Sequence, residues 1–185
     1  KGYYEALMDA FQLNGFDEYT DLWAATYDWR STPGPTDGVA DGVLHNEPGS
    51  QLFNKWGADL TAEQIADTEY DFGVDGFGYW LVRASLTWAE NHGGVLPESV
   101  DVVAHSTGGL VVRAYMQSAA YGGEVSVNYD NPLGPEAPNG IPLPEGAKNA
   151  DGTLITDKFR LPKINKLVTM GVPMRGAAGP FLLAN

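Results

Sequence analysis

A chain of 185 residues, 43% apolar and 11% aromatic, has the size of one globular domain with its own core and is too hydrophobic to be disordered. Its formal net charge of −13 disfavours nucleic acid and anionic membrane surfaces, and no run approaches the roughly 20 apolar residues of a membrane-spanning helix. The absence of cysteine excludes disulfides and thiolate metal sites.

The opening "KGYYEALMDAF" reads as the interior of a helix, without the basic and apolar leader of a signal peptide. Tyr4, Leu7, Met8 and Phe11 recur at helical spacing, and Asn14-Gly15 is a C-terminal stop. Asp21 to Arg30 reads as a short, largely apolar strand ending in charge. Residues 31–73 form an excursion rich in Gly, Pro and Asp, with one short helix expected near Thr61 to Asp67. Its acidic loop, Asp37 to Gly42, fails the EF-hand spacing because Val39 stands where a second oxygen ligand belongs. No metal or other cofactor is therefore expected.

Asp75 is expected to cap a second helix, with Leu81, Ser85 and Trp88 on one face and Gly93-Gly94 at its end. The continuous apolar run Ser99 to Ala104 predicts a strand buried on both faces of a parallel sheet. A third helix starts just after Ser106, with Leu110, Val111, Ala114, Tyr115 and Ser118 on one side. Residues 122–162 form a second excursion, dense in Pro, Gly and Asn, and a candidate lid or cap. Ile164 to Pro173 closes the pattern with another buried strand. Alternation of helix and strand predicts an α/β fold with a mainly parallel sheet flanked by helices.

The strand–serine–helix junction at "VDVVAHSTGGLVVRAY" carries the chemistry. A serine hydroxyl is a poor nucleophile unless a base takes its proton and the oxygen stands clear of its backbone. A strained turn at Ser106 would lift Oγ above the C-terminal edge of the sheet. Such a turn brings strand and helix together, so the residues two before and two after Ser106 must be small. They are Ala104 and Gly108, with Gly109 as further relief. The helix start turns backbone N–H groups toward the same point, which makes the N–H of Thr107 one oxyanion donor. The alternative is a serine that only caps its helix.

The junction matches the G-x-S-x-G nucleophile elbow, with Ala104 in place of the first glycine. Here the chain resembles the α/β-hydrolase lipases, in the branch of bacterial triacylglycerol lipases and lecithin–cholesterol-acyltransferase-like enzymes. Three pieces carry the resemblance: "YDWR" (Tyr27 to Arg30), "AHSTGGLVVRAY" (Ala104 to Tyr115) and "VTMGVPMRG" (Val168 to Gly176). The last is similar to the family's T-L-G-T-P-H-x-G segment, with Met174 where histidine is usual. The resemblance implies strands 4 to 6 of an eight-stranded pattern, so residues 1–185 are expected to be one incomplete domain.

In that fold the acid and then the histidine follow the nucleophile. The chain's three histidines, His45, His92 and His105, all come at or before Ser106. His105 is expected to turn away from Oγ and support the elbow. His92 is read as a cation at a helix C-terminus, and His45 stays unassigned. The acids after Ser106 (Glu124, Asp130, Glu136, Glu145, Asp151 and Asp157) precede the last strand and receive no role. The histidine and acid are expected beyond residue 185, and the second oxyanion donor before residue 1.

The resemblance implies a serine esterase or lipase that forms an acyl-enzyme on Ser106 with lipid-type esters. An acyltransferase using the same acyl-enzyme, and a hydrolase-like binding module without catalysis, stay open. The composition suits a secreted enzyme whose partner is a lipid or other ester substrate. Oligomeric state is not readable.

Overall fold

A computed structural model describes residues 4–34, 72–118, 120–126 and 143–174. The short helix expected at Thr61 to Asp67, the loop Asp37 to Gly42 and His45 lie outside the described residues. Helix α1 spans Glu5–Leu13 and α2 spans Gly73–Asn91; β1 (Ser99–His105) then leads into α3 (Gly108–Gln117). The short strands β2 (Glu124–Ser126) and β3 (Lys158–Arg160) follow, and β4 spans Lys163–Met170. β1 and β4 pair in parallel from Ser99↔Lys163 to His105↔Met170, with a register shift after Val100; β2 and β3 pair antiparallel. The described architecture is thus a small parallel sheet flanked by helices, a partial α/β arrangement. No described helix is long and apolar enough to cross a membrane.

The helix ends follow the sequence closely. At the end of α1 the Phe16 and Gly15 N–H groups return to the Phe11 and Gln12 carbonyls, with Gly15 at φ +92°. Phe16 packs edge-on against Phe11, the apolar contact that accompanies this motif. At the end of α2 the Gly94 N–H returns to the Ala89 carbonyl, with Gly93 and Gly94 both at positive φ. His92 sits at that C-cap, stacked on Trp88, and its Nδ1–H donates to the Trp88 carbonyl at 2.8 Å. At the start of α2, Asp75 is the third helical residue rather than the cap. Its carboxylate reaches back to accept the Phe72 N–H at 2.8 Å, one half of a capping box.

One face of the sheet is buried. Val100, Val102, Ala104, Ile164 and Leu167 join the core built by Val74, Phe77, Leu81 and Val82 of α2 and Val111, Val112 and Tyr115 of α3. On α3, Leu110 and Ala114 lie at the edge of the buried face, and Val112 takes part in it. The expectation that both strands are buried on both faces is not met. The opposite face carries Asp101 with Lys166, then Val103 and Val168, which are 40% and 54% exposed. A continuous apolar run reports hydrophobic side chains on both faces, but burial requires a covering layer.

Asp21 to Arg30 is not a strand among the described residues either. Its start is wound into a turn in which the Asp17 carbonyl accepts N–H groups from Thr20, Asp21 and Leu22. Just beyond its end the chain meets the start of α2, where the Thr32 and Pro33 carbonyls accept the Gly73 and Val74 N–H groups. Those contacts satisfy helix donors that have no intrahelical acceptor. In the second excursion, Lys148 donates to the Gly94 carbonyl and accepts from Leu96. The described residues around Lys148 therefore sit by the loop that enters β1, at the end of the strand remote from Ser106.

Tyr115 ties α3 to the approach to β4. Its hydroxyl donates to the Pro162 carbonyl at 2.7 Å and accepts the Gly122 N–H at 3.4 Å, and burial pushes the phenol well above its ordinary pKa. Tyr115→Phe leaves a buried carbonyl unpaired, at a cost of about 1–3 kcal/mol. Urea titration should show a lower midpoint with an unchanged slope. An unchanged midpoint would contradict the assignment of this bond to the fold.

Candidate active site

Ser106 stands where β1 has ended and α3 has not begun. Its N–H donates to the Met170 carbonyl at 3.0 Å, which carries the β1–β4 pairing one residue past the strand. Its φ is +51°, in a left-handed region that costs a residue with a side chain roughly 1–2 kcal/mol. Thr107 then returns to φ −59°, ψ −24°, and the Gly109 and Leu110 N–H groups turn back to the Ser106 and Thr107 carbonyls. Bonds on both sides hold the strained residue, so the conformation is imposed by the fold.

This geometry argues against the capping alternative. The residue at the cap is Thr107, without a side-chain cap bond. Among the described residues the Ser106 hydroxyl makes no hydrogen bond, and the residue is half-exposed. The N–H groups of the cap residue Thr107 and of Gly108 make no hydrogen bond among the described residues and lie at the helix end where Ser106 stands.

The small residues divide the work differently from the expectation. Ala104 is buried beneath the turn. A side chain at Gly109 would overlap Val172, just after β4, with its Cβ 2.6 Å from Val172 Cγ1. At Gly108 the nearest atom would be Tyr27 Cε1, at 4.0 Å, an ordinary contact. The steric need for glycine therefore falls three residues after Ser106 instead of two, because α3 crosses the chain leaving β4 at Gly109.

His105 turns to the face of the sheet opposite the core, where its Nδ1 is 2.8 Å from the Tyr4 hydroxyl and the two rings meet edge-on. His92 is engaged with Trp88 at the far end of α2. Neither described histidine is hydrogen-bonded to Ser106. Of the acids after Ser106, Glu124 pairs with Arg160, Asp151 accepts from Thr153, and Asp157 accepts from Thr156. Glu145 is exposed, and Asp130 and Glu136 lie outside the described residues. Met174 is partly exposed, with its N–H bonded to the Val172 carbonyl.

Tyr27, to which the sequence assigns no role, packs close to the start of α3. Its side chain packs against the positions where Gly73 and Gly76 of α2 lack a Cβ, at 3.1 and 3.0 Å, and its ring edge faces Gly108. Burial raises its pKa, while bonding from the Thr107 side chain pulls it partway back. The next residue, Asp28, accepts the Arg30 guanidinium in a two-pronged pair at 2.9 and 2.8 Å, which holds its carboxyl down at about 2. Tyr27, Asp28, Phe72, Tyr79 and Trp80 border an open cavity of about 480 Å³, which no residue of the Ser106 turn lines.

No family model matches the chain, and no curated protein and no solved structure matches it either. The geometry of the elbow therefore stands on its own.

Two substitutions test that geometry. Glycine adopts positive φ without penalty, so Ser106→Gly should be about 1 kcal/mol more stable than Ser106→Ala by chemical denaturation. Equal stability would mean that the turn is unstrained. Gly109→Ala should destabilise by about 1–3 kcal/mol through overlap with Val172. Gly108→Ala should be neutral or stabilising, because alanine is the better helix former. The reverse ranking would place the crowding at Gly108.

Proposed function

We propose that this chain carries the nucleophile of a serine hydrolase acting on carboxylic esters, of lipid type as the resemblance implies. The observation that carries the reading is Ser106 at φ +51° between a parallel strand and a helix start. That arrangement offers Oγ on one side and helix N–H groups on the other, the two elements that acyl transfer needs in one place.

The chemistry proceeds in two halves. Ser106 Oγ attacks the ester carbonyl carbon while its proton passes to a base. The carbonyl oxygen becomes an oxyanion that accepts the Thr107 N–H. The C–O bond to the alcohol then breaks, the alcohol takes the proton, and the acyl group remains on Oγ. Water repeats the attack and releases the acid. The base implied by the resemblance is a histidine that follows the nucleophile in chain order, and residues 107–185 contain none. His105 is held by Tyr4 and acts as scaffold, joining β1 to the start of α1.

Ser106→Ala should reduce kcat on a p-nitrophenyl ester by about 10⁴-fold or more, with little change in melting temperature. Near-normal turnover by that variant would remove Ser106 from the reaction.

A further inference from the structure

The residue that begins α3 does not cap it with its side chain. A threonine at a helix N-terminus ordinarily turns its hydroxyl onto an N–H of the first turn, from an extended backbone. Thr107 is already helical, at φ −59° and ψ −24°, and makes no side-chain cap bond. Its side chain meets the Tyr27 phenol instead. Burial raises the pKa of that phenol, and hydrogen bonding from the Thr107 side chain offsets part of the rise. The ring lies alongside the same turn: Tyr27 Cε1, next to the hydroxyl-bearing carbon, would be 4.0 Å from a Cβ on Gly108.

Tyr27 is itself held from behind. Its side chain fills the space that Gly73 and Gly76 leave at the start of α2, at 3.1 and 3.0 Å from the Cβ atoms they lack. Gly73 in turn lies against α3, where its Cβ would come within 2.9 Å of Val111 Cγ2. The start of α2, the Tyr27 ring and the start of α3 therefore interlock. The Thr107 N–H needs such an anchor. It has no acceptor among the described residues to set its direction, it follows Ser106 at φ +51°, and Gly108 after it has no side chain. A donor that is aimed badly is worth little, because hydrogen bonds weaken steeply as they bend.

We propose that Tyr27 is a positioning residue for the oxyanion donor: its ring braces the start of α3 against α2, and its hydroxyl fixes the Thr107 side chain so that the Thr107 N–H stays aimed at the reacting carbonyl. The inference rests on the hydrolase reading and adds to it a residue that touches neither substrate nor Ser106.

The test is a double-mutant cycle on turnover of the p-nitrophenyl ester. Tyr27→Phe keeps the ring and removes the hydroxyl, and Thr107→Val removes the same bond from the other side. Each should lower kcat about tenfold, part of the roughly 10²–10³-fold that losing an oxyanion donor costs. KM should stay within about twofold, the split expected of an interaction made only in the transition state. The double variant should be within about twofold of the slower single, because both changes break one contact. Thr107→Ser, which keeps the hydroxyl, should recover most of what Thr107→Val loses. Should Tyr27→Phe fail to fold, the comparison of Thr107→Val with Thr107→Ser carries the test. Wild-type kcat in Tyr27→Phe, a loss that falls on KM instead, or losses that multiply in the double variant would overturn the positioning role while leaving Ser106 as nucleophile. A wild type no faster than Ser106→Ala would overturn the hydrolase reading, and this inference with it.

Discussion

The β1–β4 ladder runs one bond further than the strands, from the Ser106 N–H to the Met170 carbonyl, and the site depends on that bond. It holds the backbone in sheet geometry up to the serine, while α3 must start within two residues. The change of direction is compressed into one peptide unit, and Ser106 takes it up as a φ of +51°. Two elements with their own packing fix the ends, so the strain cannot relax into either. β1 and β4 are locked in register, and α3 is locked by Tyr115 reaching the Pro162 carbonyl. The core thereby positions a residue that is itself half-exposed.

Much of this was legible because the signals are local. Apolar periodicity placed the helices, and glycine pairs placed their ends. The serine among small residues placed the turn. The failures share one cause. Asp21 to Arg30 has strand-like composition, but a strand exists only through a neighbour, and its described contacts are with the start of α2. Val103 and Val168 belong to apolar runs, yet no described layer covers them. Pattern reports what a side chain prefers, and a partner far along the chain decides whether that preference is met.

The candidate site divides in the same way. Ser106, Thr107 and Ala104 were readable as a unit because they are consecutive or nearly so. The need for glycine at Gly109 depends on Val172, and the importance of Tyr27 depends on Gly73, Gly76 and Gly108. These are long-range contacts that no spacing rule encodes. Histidine shows the opposite case: proximity in sequence pairs His105 with Ser106, whereas strand alternation sends the His105 ring to Tyr4 on the far face.

The central claim is that the Ser106 hydroxyl and the Thr107 N–H act on one reacting group. It is tested most directly by a crystal structure of the protein after reaction with a phosphonate ester. The account predicts phosphorus bonded to Ser106 Oγ, Ser106 still at positive φ, and a phosphonyl oxygen about 2.7–3.1 Å from the Thr107 nitrogen. Phosphorus on another residue, or a phosphonyl oxygen turned away from the start of α3, would contradict it.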